Sequence, residues 1–519
     1  MPPRCRVALI ADAHFHDPTG DFGAGVADGA RVLAYRPWSE ARAAGRSVND
    51  SAHALRAALD RIAAQGIRQV VLAGDYSDDG QAENLTRLAA LLHEAEARLG
   101  LRIHAIPGNH DGYGVAGKHV AQRIATAPGL SQMVTSDPDL VGARLTGAMH
   151  CPGWPAALDP LAAFGQRRRA GDLHWESPFG ASDHWGDRRY LARSADGSVA
   201  HWLVDASCLV EPEPGLWLLL LDATVFEPRD GITDPRRKRA FHDPALAGWA
   251  AVLRVKPFLI DWIADVMARG RAAGKLVVPV SHYPALAHLP DLQRLLPGSA
   301  LVRRSPGPEV AARLAAAGMR LHFGGHLHMQ GRRAEAGVTD IMLPSSCAFP
   351  AAVTVIEGDI EALSMRHIVL GDLPHDPPLA AFLRAEGAPD SASLGQSLHT
   401  RARERLLTRR LARELPADIW AAVQAHRLAD LPALMGADAC ALPDQPLTDL
   451  VITTVLLAEG GALARADLTP AQVAGLRALS SLRATRDDPL ALWLAGLLHL
   501  LDQALDAELD PEAGAAPIP

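Results

Sequence analysis

The sequence predicts an α/β fold over residues 4–370 and a mostly helical domain from about 380 to 510. Three features carry this prediction. Short apolar runs of strand length recur through the first 370 residues, helical periodicities separate several of them, and the pattern turns wholly helical after a group of prolines near 375. A chain of 519 residues also exceeds what one hydrophobic core usually holds, so two domains are expected.

The first run, Val7–Ala11, is apolar throughout, as in a strand buried on both faces. Gln69–Ala73, Ile103–Ile106, Leu216–Leu221, Leu276–Val280 and Leu321–Phe323 have the same character. Between the first two, Asn49 or Asp50 stands at a helix N-cap position, Leu55, Leu59 and Ile62 share a face, and Gly66 ends the segment. Leu85, Leu88 and Leu92 mark a second helix closed by Gly100, and Leu259, Ile263 and Val266 a third. Thr339–Leu343, Ala352–Glu357 and Leu363–Val369 read as closing strands.

Residues 15–47 and 112–215 interrupt the rhythm, the second with hairpin strands near Arg189–Arg193 and Val199–Val204. Excursions of that length are expected to be lids or binding loops. Pro374, Pro377 and Pro378 read as a linker, so the first domain is expected to span 1–375. Ser397–Leu415, Ala417–His426, Thr448–Glu459, Pro470–Leu482 and Pro489–Leu505 follow as helices, and 511–519 reads as a disordered tail.

Composition narrows the function. Hydrophobic residues at 48% and charged residues at 21% describe a soluble globular chain. A net charge of −8 gives no support to a nucleic-acid binder. The five cysteines show no C-x-x-C spacing, which argues against a disulfide framework and a cysteine zinc site. The apolar run after Arg6 is too short for a secretory signal, and no segment offers about 18 uninterrupted apolar residues. Leu490–Leu501, broken by His499, reads as a buried helix. A cytoplasmic location and no membrane partner are expected.

The chemistry stands at the strand ends. Val7–Ala11 is followed by Asp12-Ala13-His14, Gln69–Ala73 by Gly74-Asp75, and Ile103–Ile106 by Pro107-Gly108-Asn109-His110-Asp111. Leu276–Val280 leads to Ser281-His282, and Leu321–Phe323 to Gly324-Gly325-His326-Leu327-His328. Ligands of open α/β sheets collect outside the carboxyl ends of strands. Residues at i and i+2 on an extended chain point the same way, which would aim Asp12 with His14 and His326 with His328. The glycines at 74, 108, 324 and 325 permit tight turns and close backbone approach. Imidazole, carboxylate and amide donors without thiolate suit Mn, Fe or Zn. A lone Gly-Asp or His-x-His is a turn or a polar pair in most proteins; five in order, each after a buried strand, point to a metal site.

Asp12-x-His14, Gly74-Asp75-x-x-Asp78, Gly108-Asn109-His110-Asp111, His282 and Gly325-His326-x-His328 together resemble the motif set of the calcineurin-like metallophosphoesterases. The resemblance covers roughly residues 4–370 and is nearest to bacterial cyclic-nucleotide phosphodiesterase-like members. It implies a two-sheet α/β/β/α sandwich and two divalent or mixed-valence transition metal ions. Asp12, His14, Asp75 and His328 would hold one ion. Asp75 would bridge to the second, held also by Asn109, His282 and His326. His110 would stand off the metals near the leaving group. Purple acid phosphatases of the superfamily carry a metal-binding tyrosine three residues after the bridging aspartate; here that position is Asp78 and Tyr76 is displaced. Asp78 and Asp111 are therefore expected to orient imidazoles in support of catalysis.

Such a site hydrolyses phosphoesters. Two cations about 3.5–4 Å apart neutralise the phosphoryl oxygens and acidify a bridging water, while His110 serves the leaving oxygen. The expected substrate is a small-molecule phosphodiester such as a cyclic nucleotide. A phosphomonoesterase or nucleotide pyrophosphatase is the alternative, and the complete ligand set disfavours a non-catalytic scaffold. His16, Tyr35, Arg36, Tyr113, Lys118 and His119 lie in the excursions, where solvated loop positions are the expectation; Tyr283 and His288 either wall the pocket or only pack. Arg401, Arg403, Arg405, Arg409 and Arg410 read as a solvated helix face. The helical domain could cap the site or pair protomers into a homo-oligomer.

Overall fold

Alternate residues of the first strand enter different cores. In β1 (Cys5–Ile10), Val7 and Leu9 face a core shared between two sheets, while Ala8 and Ile10 face a layer of helices. The computed structural model describes residues 5–237, 239–289, 300–374, 376–387, 398–411 and 415–506.

β1 pairs in parallel with β2 (Gln69–Ala73), and β2 with β3 (Arg102–Ile106). The second sheet contains β4 (His174–Glu176), β5 (Cys208–Glu213), β6 (Leu216–Leu221), β7 (Leu276–Ser281), β8 (Leu321–Gly324), β9 (Gly331–Glu335) and β10 (Val338–Met342). The chain then returns to the first sheet with β11 (Ala352–Gly358), antiparallel to β1, and β12 (Leu363–Val369). The orders are β12-β11-β1-β2-β3 and β9-β10-β8-β7-β6-β5-β4. β6, β7, β8 and β10 run parallel, and antiparallel strands close the second sheet at both edges and the first sheet at one.

Leu216, Leu218 and Leu220 of β6 meet Val7, Leu9 and Val71 between the sheets. Trp217, Leu219 and Leu221 point the other way, onto α3 (Gly248–Val255), α4 (Pro257–Ala272) and α5 (Pro308–Ala316). On the far side, α1 (Ser51–Ala64) and α2 (Ala82–Leu99) cover the first sheet through Leu55, Leu59, Leu88 and Leu92. Burying each such leucine contributes about 1.5–3 kcal/mol relative to exposure. The result is the expected α/β/β/α sandwich.

Several local expectations are corrected. Neither Asn49 nor Asp50 caps α1 with its side chain; Asn49 bonds to the Arg36 backbone instead. The 112–215 excursion is largely built structure: it holds a three-stranded sheet (Ala121–Ala127, Leu130–Thr135, Arg144–Leu145), a hairpin (Arg189–Arg193 with Ala200–Val204), and the whole of β4 and β5. Pro377 and Pro378 are not linker residues. They open the helix Pro377–Ala385, where a missing amide is tolerated, and its Leu379, Phe382 and Leu383 pack on Leu33 and Tyr35 of the first excursion.

Helices follow at Leu398–Arg409, Ala417–Ala425, Leu447–Arg465, Pro470–Ser480 and Pro489–Asp506. Ser397 and the 511–519 tail lie outside the described residues. The helix Leu447–Arg465 is long and apolar enough to cross a membrane, but most of it is buried in the chain and it carries Asp449 and Glu459.

Candidate metal centre

Beyond the strand ends the backbone turns sharply. Asp12, His14, Asp75, His326 and His328 all have φ between +40° and +76°. These five and Ala336 are the non-glycine positions with positive φ among the described residues. The extended geometry expected for the two i, i+2 pairs is therefore absent. A left-handed turn aims each pair, at a cost of order 1–3 kcal/mol per residue. Glycine is required where these turns touch. Gly74 has φ +79°, and a Cβ there would lie 2.5 Å from the His282 Cβ. A Cβ on Gly325 would lie 2.6 Å from an Asp12 carboxylate oxygen.

The turns bring all seven proposed ligands into one cluster. His14 Nε2 is 2.9 Å from His328 Nε2, and Asp12 Oδ1 is 3.4 Å from the latter. Asp75 Oδ2 lies 4.0 Å from His14 Nε2 on one side and 3.2 Å from His282 Nε2 on the other. His282 Nε2 is 3.2 Å from Asn109 Oδ1 and 3.1 Å from His326 Nδ1. Asp75 thus stands between an Asp12–His14–His328 group and an Asn109–His282–His326 group.

The donors fit cations. His282 Nδ1–H donates to the Ala73 carbonyl and His326 Nε2–H to the Ala245 carbonyl, so the other nitrogen of each ring faces inward and offers a lone pair once that ring is neutral. Two nitrogens each about 2.1 Å from one ion, at a right angle, lie about 3 Å apart, which matches the His14–His328 separation. Burial, then the nearby cations, depresses the pKa of His14 and His326, and burial outweighs Asp12 at His328. These rings are therefore neutral donors. Burial opposes charge on His282 too, but Asp75 overcomes it and raises His282 to about 9, so a metal arriving there displaces a proton. Burial likewise opposes the Asp75 carboxylate, and His282, His110 and His14 hold it well below the usual carboxylate range.

His110 is partly exposed beside this cluster. Its backbone amide donates to Asp75 Oδ1 at 2.8 Å, and its Nδ1–H donates to Asp79 Oδ1 at 2.7 Å. Its Nε2 remains on the metal side, 3.9 Å from Asp75. Burial favours the neutral ring, but Asp75 and Asp79 outweigh it and raise the pKa.

The expected roles of Asp78 and Asp111 are corrected. Neither orients an imidazole. Asp78 is gripped by Arg36 and by Arg46, whose Nη2 lies 2.7 Å away. Asp111 accepts from the Ser77 amide and hydroxyl and the Gly108 amide, tying two ligand turns together. Burial and the charge of Asp75 push its carboxyl up to about 7. The carboxylate that does orient the His110 imidazole is Asp79. Its adjacency to Asp78 was the available signal, but the sequence alone did not separate the two.

Other residues were missed for lack of any motif. Arg46 closes the centre from the first excursion, and Arg304 approaches from the short helix Ala300–Arg304. A buried relay also escaped notice: Ser281 Oγ lies 2.9 Å from His322 Nε2, and His322 Nδ1–H donates to Asp340 at 2.7 Å. Asp340 also accepts from His288 and from the Ala285 and Leu286 amides, fixing the turn after His282. His288 is thus a structural residue, while Tyr283 packs edge-on against the His282 ring and donates to the Pro244 carbonyl. His16 and Tyr35 are buried in the scaffold. Lys118 and His119 line a separate cleft with Tyr113.

A site of this construction is that of a metal-dependent phosphoester hydrolase. Residues 5–151 match the model of the calcineurin-like phosphoesterase family, Metallophos. Asp12 through His110 fall inside the match; His282, His326 and His328 lie beyond it and join the cluster through the second sheet. The family implies two divalent metal ions. Three side-chain groups could hold an ion, Asp12–His14–His328, His14–Asp75–His110 and Asp75–His282–His326, and Asp75 belongs to the last two. Among solved structures, a dimetal phosphatase from Danio rerio is 15% identical with a TM-score of 0.36, covering 70% of this chain and 95% of that one. A protein described as a candidate 5′-nucleotidase from Staphylococcus aureus is 10% identical with a TM-score of 0.31, covering 74% of this chain and 58% of that one. Likenesses of this size carry no argument about substrate. No curated protein matches the sequence significantly.

Proposed function

We propose that the chain hydrolyses a small-molecule phosphodiester with a poor leaving group, such as a cyclic nucleotide, using Mn, Fe or Zn. The observation that carries this reading is the His110–Asp79 pair beside Asp75. An alkoxide leaves poorly without a proton, and a protonated imidazole is the group that supplies one. Asp79 accepts from Nδ1, which fixes the ring and favours its charged form. The Nε2 proton is then presented on the metal side, where a leaving oxygen would emerge. When bound, the ions supply charge neutralisation at the phosphoryl oxygens and acidify the attacking water. Asp12, His14 and His328 would hold one ion and Asn109, His282 and His326 the other, with the buried Asp75 between the two groups.

The test is a panel of substrates on purified protein supplied with each metal in turn. It compares cyclic AMP, cyclic GMP, 2′,3′-cyclic nucleotides, bis-p-nitrophenyl phosphate, p-nitrophenyl phosphate and dinucleotide polyphosphates. Preference for a diester supports the proposal. A clear preference for p-nitrophenyl phosphate would assign a phosphomonoesterase, and turnover only of dinucleotide polyphosphates a pyrophosphatase.

A further inference from the structure

We infer that Arg304 is a substrate-binding residue whose guanidinium receives phosphoryl oxygens on the His282–His326 side of the centre. The inference rests on the phosphoester-hydrolase reading of the site.

Arg304 ends a short helix, Ala300–Arg304, that packs on the turn Pro244–Leu246. That turn is part of the site's wall: Ala245 accepts the His326 Nε2–H bond, and Pro244 accepts from the Tyr283 hydroxyl. The charged and titratable groups acting on Arg304 are Asp75, Tyr283, Asp243 and Arg410. Its Nε is buried and unbonded, and no hydrogen bond or ion pair to its guanidinium occurs among the described residues. Three other arginines near the centre differ in having a carboxylate partner, although the Nε of Arg36 is also buried and unbonded. Arg36 and Arg46 hold Asp78, and Arg410 holds Glu459.

A largely buried cation without a partner is expensive to maintain. The imbalance grows once the ions bind, because the ligand set offers the carboxylates of Asp12 and Asp75 against otherwise neutral donors. An anion resolves both problems. A phosphoryl group suits the planar fork of arginine, which lysine does not reproduce. Nothing in the local sequence marks Arg304 for this role; its place beside the His326 turn does.

The test uses the metal-loaded full chain and its Arg304→Gln and Arg304→Lys variants. Inorganic phosphate, the simplest anion of the product class, is titrated by calorimetry, with metal content and thermal midpoint measured in parallel. Both variants should retain their metal and melt no lower than the parent, since no protein partner is lost. Phosphate should bind about 10- to 100-fold more weakly to the Gln variant, with a smaller loss in the Lys variant. Unchanged phosphate affinity in either folded, metal-loaded variant overturns the inference while leaving the hydrolase reading intact. A lowered midpoint in both with unaltered phosphate binding would assign Arg304 a structural role instead. A parent chain that binds neither metal nor phosphate would sink both readings together.

Discussion

The division of labour between His110 and its neighbours makes the sharpest residue-scale predictions. His110 touches Asp75 through its backbone amide and Asp79 through its ring. His110→Ala should therefore keep both metals yet lose about 10²–10⁴-fold in kcat on a cyclic nucleotide. The loss should be smaller on a nitrophenyl ester, whose leaving oxyanion needs no proton. Equal losses would show that His110 instead stabilises the phosphoryl oxygens. Asp79→Asn should depress the same reaction in the same direction, with metal content unchanged, because it weakens the hold on Nδ1. The convergence of all seven proposed ligands was legible in the sequence, since each follows a buried apolar run that the fold must end at the same rim. Asp79 was not, because whether Asp78 or Asp79 faces the ring depends on a turn that no periodicity reports. Arg304 was invisible for a related reason: its position depends on packing against a turn distant in sequence.

At the scale of elements, the turns after the strands set the precision of the site. Gly74→Ala would force a Cβ against His282 in a backbone conformation that alanine resists. It should cost about 1–3 kcal/mol in denaturant unfolding and loosen the metal held by His282. The turn after His282 has a different support in Asp340. Burial raises that carboxyl's pKa, but His322 and His288 outweigh it, so the folded-state pKa is depressed. A depressed carboxylate pKa contributes stability that is present above the unfolded value, near 3.9, and is lost as pH falls through the folded one. Thermal midpoints of the wild type should thus fall steeply on acidification below about pH 4. Asp340→Asn should flatten that limb while lowering the midpoint at neutral pH. The principal strands were readable because both their faces are buried. β4, β5 and β9 were not, since strands at or next to a sheet edge that carry polar residues such as Glu176, Glu211 and Arg332 lack the continuous apolar signature.

On the scale of the whole molecule, the C-terminal helices are fastened to the ligand-bearing loop. Leu327 and Met329, on either side of His328, lie in the same core as Leu450, Leu457 and Leu497. Gln330 donates its amide to the Glu459 carbonyl and accepts from Ala462 at 2.8 Å. The helix Leu447–Arg465 breaks at Gly461, where φ is +51°, to allow that approach. Nearby, Glu459 pairs with Arg410, and both are almost wholly buried. The expectation that Arg410 belongs to a solvated basic face is therefore wrong, because the sequence cannot show which helix faces meet. Glu459→Gln would leave Arg410 buried with a weakened partner. It should cost up to about 3–5 kcal/mol in unfolding and lower the metal affinity of the neighbouring His328 group. Full stability with normal metal content would show that the helices are an independent appendage.

The left-handed backbone at five of the metal-facing residues has a consequence for the life of the molecule in a cell. Strain at those positions, at about 1–3 kcal/mol each, sums to the order of the entire stability of a typical domain. Whatever binds there in the folded state, and only there, repays it by mass action. A chelated sample should accordingly be cut faster by a protease than a loaded one, with early nicks near the turns that follow β1 and β8. In an organism starved of the metal, quality control would then remove the chain instead of leaving inert copies in place. Nutrient supply would set the amount of this hydrolase as well as its turnover.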